Sequence, residues 1–313
     1  MAQYRRNLPQ LTGGLFLTDG GIETTLIFHE GHELPLFAAF DLLKRDGGKA
    51  ALDKYFRTYA DLARKHGVGL ILESATWRAS PGWGAKLGYG AEALTDANRQ
   101  AIALLSAIRD EYQDDKTPVV ISGCIGPSGD GYDPATWMTE GDAERYHAMQ
   151  AETFRDTDAD MITAITMTHT PEAIGVTRAA QAAGMPVVIS FTVETDGRLP
   201  TGQPLREAIE QVDAATRNGP AYYMINCAHP THFSPALAAG QPWMNRLRGL
   251  RANASTKSHK ELDEATELDD GDPGDLATRY ADLTAALPNL NVFGGCCGTD
   301  HRHVAAIAGA VAG

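Results

Sequence analysis

The sequence predicts an α/β fold, a single (β/α)8 barrel of the TIM type extending over residues 1–313. Three observations predict it. Eight short apolar runs recur along the chain, segments of helical pattern separate them, and the glycines, acids and cysteines gather just after the runs. Near-continuous apolar runs suit parallel strands buried on both faces. Strands alternating with helices give a closed barrel or, as the alternative, a doubly wound open sheet. In a barrel the C-terminal strand ends carry the active site.

The first run, 15–18, ends in Asp19-Gly20-Gly21, and the second, 68–72, ends in Glu73-Ser74. The third, 118–122, leads into Gly123-Cys124, and the fourth, 161–165, ends at Thr166. The fifth, 186–191, ends in Thr192-Val193-Glu194, and the sixth, 222–225, ends in Asn226-Cys227. The seventh, 247–251, ends in Ala252-Asn253, and the eighth, 291–294, ends in Gly295-Cys296-Cys297. Helices are expected over 51–66, 97–112, 143–156, 171–183 and 205–218, with Gly67 and Gly184 where helices commonly stop. Two segments read as long loops: 123–141, rich in Gly, Pro and Asp, and 255–275, strongly acidic from 261 onward. Loops of that length serve as lids or as solvated insertions.

A net charge of −13 excludes the basic face that nucleic acid requires. No stretch reaches the ~20 apolar residues of a membrane span. The N-terminal residues lack the apolar run of a secretory signal, so a reduced, cytoplasmic setting is expected. In such a setting clustered cysteines read as metal or catalytic groups. Cys227 ends the sixth strand, and Cys296 and Cys297 end the eighth. Over one barrel mouth three thiolates can share a Zn2+ at roughly 2.3 Å each, leaving the fourth position open as catalytic zinc sites do. The residues alone leave other readings standing: a redox disulfide within the vicinal pair, thiols buried as packing, or a structural site closed by His229 or His301. Cys124 reads as packing, and His229, His301 and His303 as loop or helix-cap residues.

Several motifs point further. Gly294-Gly295-Cys296-Cys297-Gly298-Thr299 resembles the C-terminal zinc motif of the homocysteine S-methyltransferase family, and Asn226-Cys227 resembles its second zinc motif. Asp19-Gly20-Gly21 with Glu23-Thr24-Thr25-Leu26 and Gly31 resembles the N-terminal signature of that family. Gly123-Cys124-Ile125-Gly126-Pro127 and Ser190-Phe191-Thr192 resemble its third- and fifth-strand motifs. The matches run in order from residue 19 to residue 299.

The resemblance implies a methyltransferase that passes a methyl group to the thiol of homocysteine, in methionine-forming chemistry. Cys227, Cys296 and Cys297 would be its zinc ligands and catalytic core. Zinc would supply the thiolate, since a free thiol has pKa ~8.5 and coordination deprotonates it. Asp19 and Gly20 would hold the amino-acid part of the acceptor, and Asn226 would orient the site around Cys227. One departure stands out. The family usually carries a carboxylate at the end of the fourth strand, paired with the acceptor's ammonium, and Ile165 holds that place here. Glu73 and Glu194 are the candidate substitutes. For the donor, Arg78 stands where the betaine-using branch has a tyrosine, so a sulfonium donor such as S-methylmethionine or S-adenosylmethionine is expected. A zinc hydrolase and a non-catalytic thiol-binding barrel are the competing functions. All-cysteine ligation counts against the hydrolase.

Overall fold

The computed structural model describes residues 1–131, 137–237, 240–265 and 267–312. All eight apolar runs are strands: β1 (Phe16–Leu17), β2 (Gly69–Glu73), β3 (Val119–Ile125), β4 (Met161–Met167), β5 (Val187–Thr192), β6 (Tyr222–Asn226), β7 (Leu247–Ala252) and β8 (Val292–Gly295). They pair in parallel and in sequence order, and β8 closes on β1, giving a closed barrel. Closure excludes the open doubly wound sheet. The helices are α1 (Gly48–His66), α2 (Pro81–Lys86), α3 (Ala91–Tyr112), α4 (Glu140–Arg155), α5 (Thr170–Ala182), α6 (Leu205–Thr216), α7 (Pro230–Phe233), α8 (His259–Asp263), α9 (Pro273–Ala286) and α10 (His301–Val311). Gly67 and Gly184 follow α1 and α5 with φ of 64° and 68°, the left-handed turn expected of them.

The period of two along each strand sorts side chains into two apolar layers. Leu70, Leu72, Ile121, Ile162, Ile189, Ile225 and Phe293 face the helices. Their neighbours Phe16, Ile71, Val120, Met161, Val188, Tyr222, Met224 and Val292 fill the barrel's N-terminal half. Continuing the alternation toward the C-terminal mouth brings Glu73, Ser122, Thr163, Ser190, Asn226 and Arg251 inward, all buried. A polar layer therefore sits on the apolar floor. Ser122 and Thr163 bond to one another across it at 2.8 Å.

The 255–275 segment is not the structureless loop that its charge suggests. Its acids cap helices. Ser258 and Glu261 form a capping box that starts α8, and Asp272 accepts from the Gly274 and Asp275 amides to start α9. The 123–141 segment is shorter as a loop than expected, because β3 runs to Ile125 and α4 begins at Glu140. Residues 132–136 of it lie outside the described residues. Among the described residues no helix is long and apolar enough to cross a membrane.

The N-terminal end of the barrel is fastened by one buried carboxylate. Asp160 Oδ2 pairs with Arg109 Nη1 at 3.0 Å and accepts the Ile121 amide. Its Oδ1 accepts the amides of Gln3 and Tyr4. Asp160→Ala would strand a buried guanidinium, and a loss of about 3–5 kcal/mol is expected. Urea unfolding of the two proteins checks this, and a change under about 1 kcal/mol would contradict it.

Candidate active site at the C-terminal mouth

The cysteines extend the β6–β7–β8 ladder. Cys227 N–H donates to Arg251 O at 3.1 Å, Cys296 N–H donates to Ala252 O at 2.9 Å, and Cys297 O accepts from the Ala254 amide at 3.0 Å. The chain then turns at Gly298, whose φ of 79° a side chain would resist and whose amide donates to Thr24 Oγ1. Cys227 itself has φ of 52°, an uncommon conformation for a residue with a Cβ. The result is convergence: the three Sγ atoms lie within 4.8 Å of one another. Cys227 and Cys296 are joined as a disulfide. The pairing is not the vicinal Cys296–Cys297 one considered from sequence.

Sulfurs joined as a disulfide do not ligate a metal, whereas a reduced trio of thiolates can. Tetrahedral ligands at about 2.3 Å from zinc stand roughly 3.8 Å apart, so three sulfurs this close need little movement to hold one ion once reduced. Among the described residues no histidine or carboxylate joins the trio within that distance. His229 bonds Thr231 and caps α7. His303 sits in the capping box of α10 with Asp300, and His301 is exposed. The donor set is therefore three cysteines with an open position.

Asn226 is wholly buried beside them. Its Oδ1 accepts from Ser190 Oγ at 2.6 Å and from the Thr166 amide at 3.0 Å, and its Nδ2 donates to Thr166 Oγ1 at 2.9 Å. These bonds hold β4, β5 and β6 together at the mouth. Thr166 has φ of 65° within a register shift of β4, and its hydroxyl stands 3.9 Å from Cys227 Sγ. Glu194 is directed at a protein partner: its Oε1 lies 3.3 Å from His259 Nδ1, and His259 Nε2 donates to Cys227 O at 2.5 Å. Sequence reasoning missed His259, which lies in the acidic segment far from any motif.

Asp19 and Gly20 sit on the other side of the mouth. Asp19 Oδ1 pairs with Arg251 Nη2 at 2.7 Å, and its Oδ2 accepts from Tyr55 Oη at 2.8 Å. Arg251 also donates to Gly20 O and Gly295 O, each at 3.2 Å. Gly21 packs so closely that a Cβ there would stand 2.6 Å from Cys296 O. The β1 turn is thus locked against the cysteine strand.

Two further acids complete the mouth. Glu73 is 4 % exposed and lies in the inward layer beside the Ser122 and Thr163 hydroxyls. Burial raises its pKa to about 7 although the charge of Arg251 opposes the shift. Glu23, two residues past Gly21, is likewise raised to about 7 by burial, with the charge of Asp19 adding to the shift. The motif containing Glu23 is legible in the sequence, but nothing there assigns this residue a role. Cys124 is buried, and burial followed by the charge of Glu73 pushes its thiol well above the usual range. Ile165 is buried, and its carbonyl accepts from Trp77 Nε1 at 3.2 Å. Arg78 lies between two indoles, 3.9 Å from the Trp77 ring centre and 3.6 Å from that of Trp83, and donates to Gly129 O.

The model of the family described as homocysteine S-methyltransferase matches residues 16–311. The chain belongs to the homocysteine S-methyltransferase family and is a thiol methyltransferase of that class. Among solved structures it is similar to the homocysteine methyltransferase MmuM from Escherichia coli. The oxidized form superposes with a TM-score of 0.75 at 19% identity, covering 97% of this chain and 99% of that one. The metallated form gives 0.73 at 19% identity, covering 96% and 97%. At that identity the likeness establishes the fold. No curated protein matches.

The buried Glu73 carries a cost that can be measured. Its folded pKa is raised, so the unfolded chain ionises it first. Its stabilising protonated form is complete below about pH 4.5 and is lost as pH rises through about 7. Glu73→Gln does not titrate and should be more stable than wild type at pH 8, by up to about 3 kcal/mol, with the advantage shrinking toward pH 5. Denaturation midpoints at the two pH values check this, and an equal difference at both would contradict it.

Proposed function

We propose that this enzyme is a zinc-dependent S-methyltransferase that moves a methyl group from a sulfonium donor, S-methylmethionine or S-adenosylmethionine, to homocysteine or a related thiol. The observation that carries the reading is the convergence of Cys227, Cys296 and Cys297 at the mouth of a barrel of this family, with no fourth protein ligand among the described residues. Reduced, the three thiolates would hold the ion, which when bound supplies an acceptor sulfur that is nucleophilic at neutral pH. The chain's own residues do the rest. Asn226 braces the strand ends carrying Cys227, and Glu194 acts through His259 on the Cys227 carbonyl. Asp19 and Gly20, fixed by Arg251 and Tyr55, form the wall beside the cysteines, with Glu73 behind them as the substrate contact. A hydrolase reading finds no support in an all-cysteine donor set.

The donor assignment rests on Arg78. Recognition of a quaternary ammonium uses open aromatic faces, and the faces of Trp77 and Trp83 are occupied by the protein's own guanidinium. That a similar protein has been seen in oxidized and metallated forms agrees with thiols that alternate between a disulfide and a metal site.

The test is direct. Protein purified under reducing conditions and loaded with zinc should bind one ion per chain and transfer label to homocysteine from a sulfonium donor but not from betaine. Cys227→Ser, Cys296→Ser and Cys297→Ser should each lose the metal and reduce transfer to background. Full zinc occupancy in the triple serine variant would overturn the ligand assignment. A companion measurement addresses the support around the ligands. His259→Ala should weaken zinc binding by about tenfold or more while the barrel unfolds at an unchanged midpoint. Unchanged affinity in competition with a chelator would remove His259 from the site.

A further inference from the structure

The turn after β3, from Gly126 to Gly131, is fixed from outside the barrel by one buried acid. Glu172 stands in the first turn of α5, where an acid suits the helix dipole. Its carboxylate reaches away from that helix. Oε1 accepts the Ser128 amide at 2.7 Å and lies 3.0 Å from His147 Nε2 of α4. Oε2 faces His169 Nδ1 at 3.8 Å. All three side chains are buried. Burial raises the Glu172 pKa, but the bond and charge of His147, the Ser128 amide and His169 together hold it below the usual carboxylate range. A buried charge depends on its partners, and one of these partners is the backbone of the turn.

The turn in its place covers Trp77. A Cβ on Gly126 would stand 2.4 Å from Trp77 O, and one on Gly131 would stand 3.4 Å from the Trp77 ring and 3.1 Å from Thr166 Cγ2. Pro127 O accepts from Trp83 Nε1, and Gly129 O accepts from Arg78 Nη1. Trp77 Nε1 donates to Ile165 O, and Thr166 Oγ1 stands 3.9 Å from Cys227 Sγ. Close contacts therefore run from Glu172, through the turn and Trp77, to the end of β4 beside a cysteine of the mouth.

We propose that Glu172 is a positioning residue for methyl transfer: it seats the 126–131 turn on Trp77 and Thr166, and so sets the wall beside Cys227 against which the reacting groups align. Its hydrogen bonds go to Ser128 and His147, so it acts through the turn. His147 is its companion, because it shares Oε1 with the Ser128 amide and fixes the direction in which that oxygen faces. Alignment is sensitive at this scale, since a misplacement of about 1 Å caused far from the chemistry can lower a rate about a hundredfold. The inference rests on the thiol methyltransferase reading and adds to it a residue outside the mouth.

The experiment compares Glu172→Ala with Asp160→Ala, which removes a buried acid from the opposite, N-terminal end of the barrel. A general loss of stability acts on both variants, and a positioning role acts on one. Hydrogen exchange over residues 126–131 of the reduced, metal-free protein should become about tenfold faster or more in Glu172→Ala, as the loss of a bond to a charged group implies, and should stay at the wild-type rate in Asp160→Ala. In the zinc-loaded protein, kcat for transfer to homocysteine from S-methylmethionine should fall about ten- to a hundredfold in Glu172→Ala with zinc affinity unchanged, and should stay near wild type in Asp160→Ala. Glu172→Gln, which keeps an acceptor for the Ser128 amide, should recover much of kcat. If Glu172→Ala does not fold, Gly131→Ala tests the far end of the same path: its Cβ presses on Thr166 and should lower kcat while exchange at Ser128 is unchanged. Unchanged exchange over 126–131 in Glu172→Ala, equal loss of kcat in Glu172→Ala and Asp160→Ala, or a Gly131→Ala enzyme as fast as wild type would overturn the inference and leave the methyltransferase reading intact. Wild type that transfers no methyl group from either sulfonium donor would overturn that reading and the inference with it.

Discussion

The mouth of the barrel depends on the buried pair of Asp19 and Arg251. The C-terminal ends of β1, β7 and β8 come together there, with the Gly295 amide donating to Asp19 O and the Cys296 amide to Ala252 O. A 2.7 Å ion pair adds a side-chain link, and Nε and Nη2 of Arg251 reach Gly295 O and Gly20 O. One guanidinium thus ties the β1 turn to the strand that carries Cys296. Its backbone does the same for Cys227, whose amide it accepts. An isolated buried ion pair is a weak source of stability, because desolvation offsets the attraction. Its value here is geometric: it sets where the two sulfur-bearing strands end relative to the acidic turn.

That constraint explains why the cysteines converge although they lie 69 residues apart in sequence. The Cys227 and Cys296 amides are each held by β7, so the register of β7 sets both. The positive φ of Cys227 and of Thr166 then turns side chains at the β6 and β4 ends away from the ordinary pleat. Asn226 pins both, with three hydrogen bonds from a wholly buried amide. Strained backbone persists only where its surroundings over-determine it, and here the over-determination comes from the side chain just before Cys227.

The barrel and its cysteine trio were both legible in the sequence, for different reasons. Strands buried on both faces must be apolar throughout, so eight runs mark eight strands whatever happens between them. Thiols at strand ends have no role in turns, so their positions speak for chemistry. What was not legible is pairing at a distance. Glu194 reads as an exposed acid, and only the fold brings His259 to it from a segment whose charge suggests solvent. The capping roles of Glu261 and Asp272 are local, yet the surrounding acids hide them. Glu23 lies inside a recognisable motif, but its electrostatic coupling to Asp19 and Arg251 arises only in the fold. The replacement of the usual acid by Ile165 is visible in the sequence, and the burial of Glu73 in the inward layer only in the fold.

Charge placement also limits which small molecules can use the mouth. An indole face attracts any cation, whether it arrives from solvent or from the protein. Arg78 stacks over both the Trp77 and Trp83 rings, so the protein's own guanidinium covers indole faces that a quaternary ammonium could otherwise use. Glu73, by contrast, lies buried in the inward polar layer. The two choices act in opposite directions on cations of different shape. A bulky ammonium without N–H bonds loses its aromatic surface and gains nothing from a carboxylate it cannot approach closely. A primary ammonium needs no aromatic surface and can donate directly to Glu73. The polar layer above the apolar floor therefore offers hydrogen-bonding capacity as well as charge, and because burial holds Glu73 near pKa 7, a cation close to it would favour the charged form.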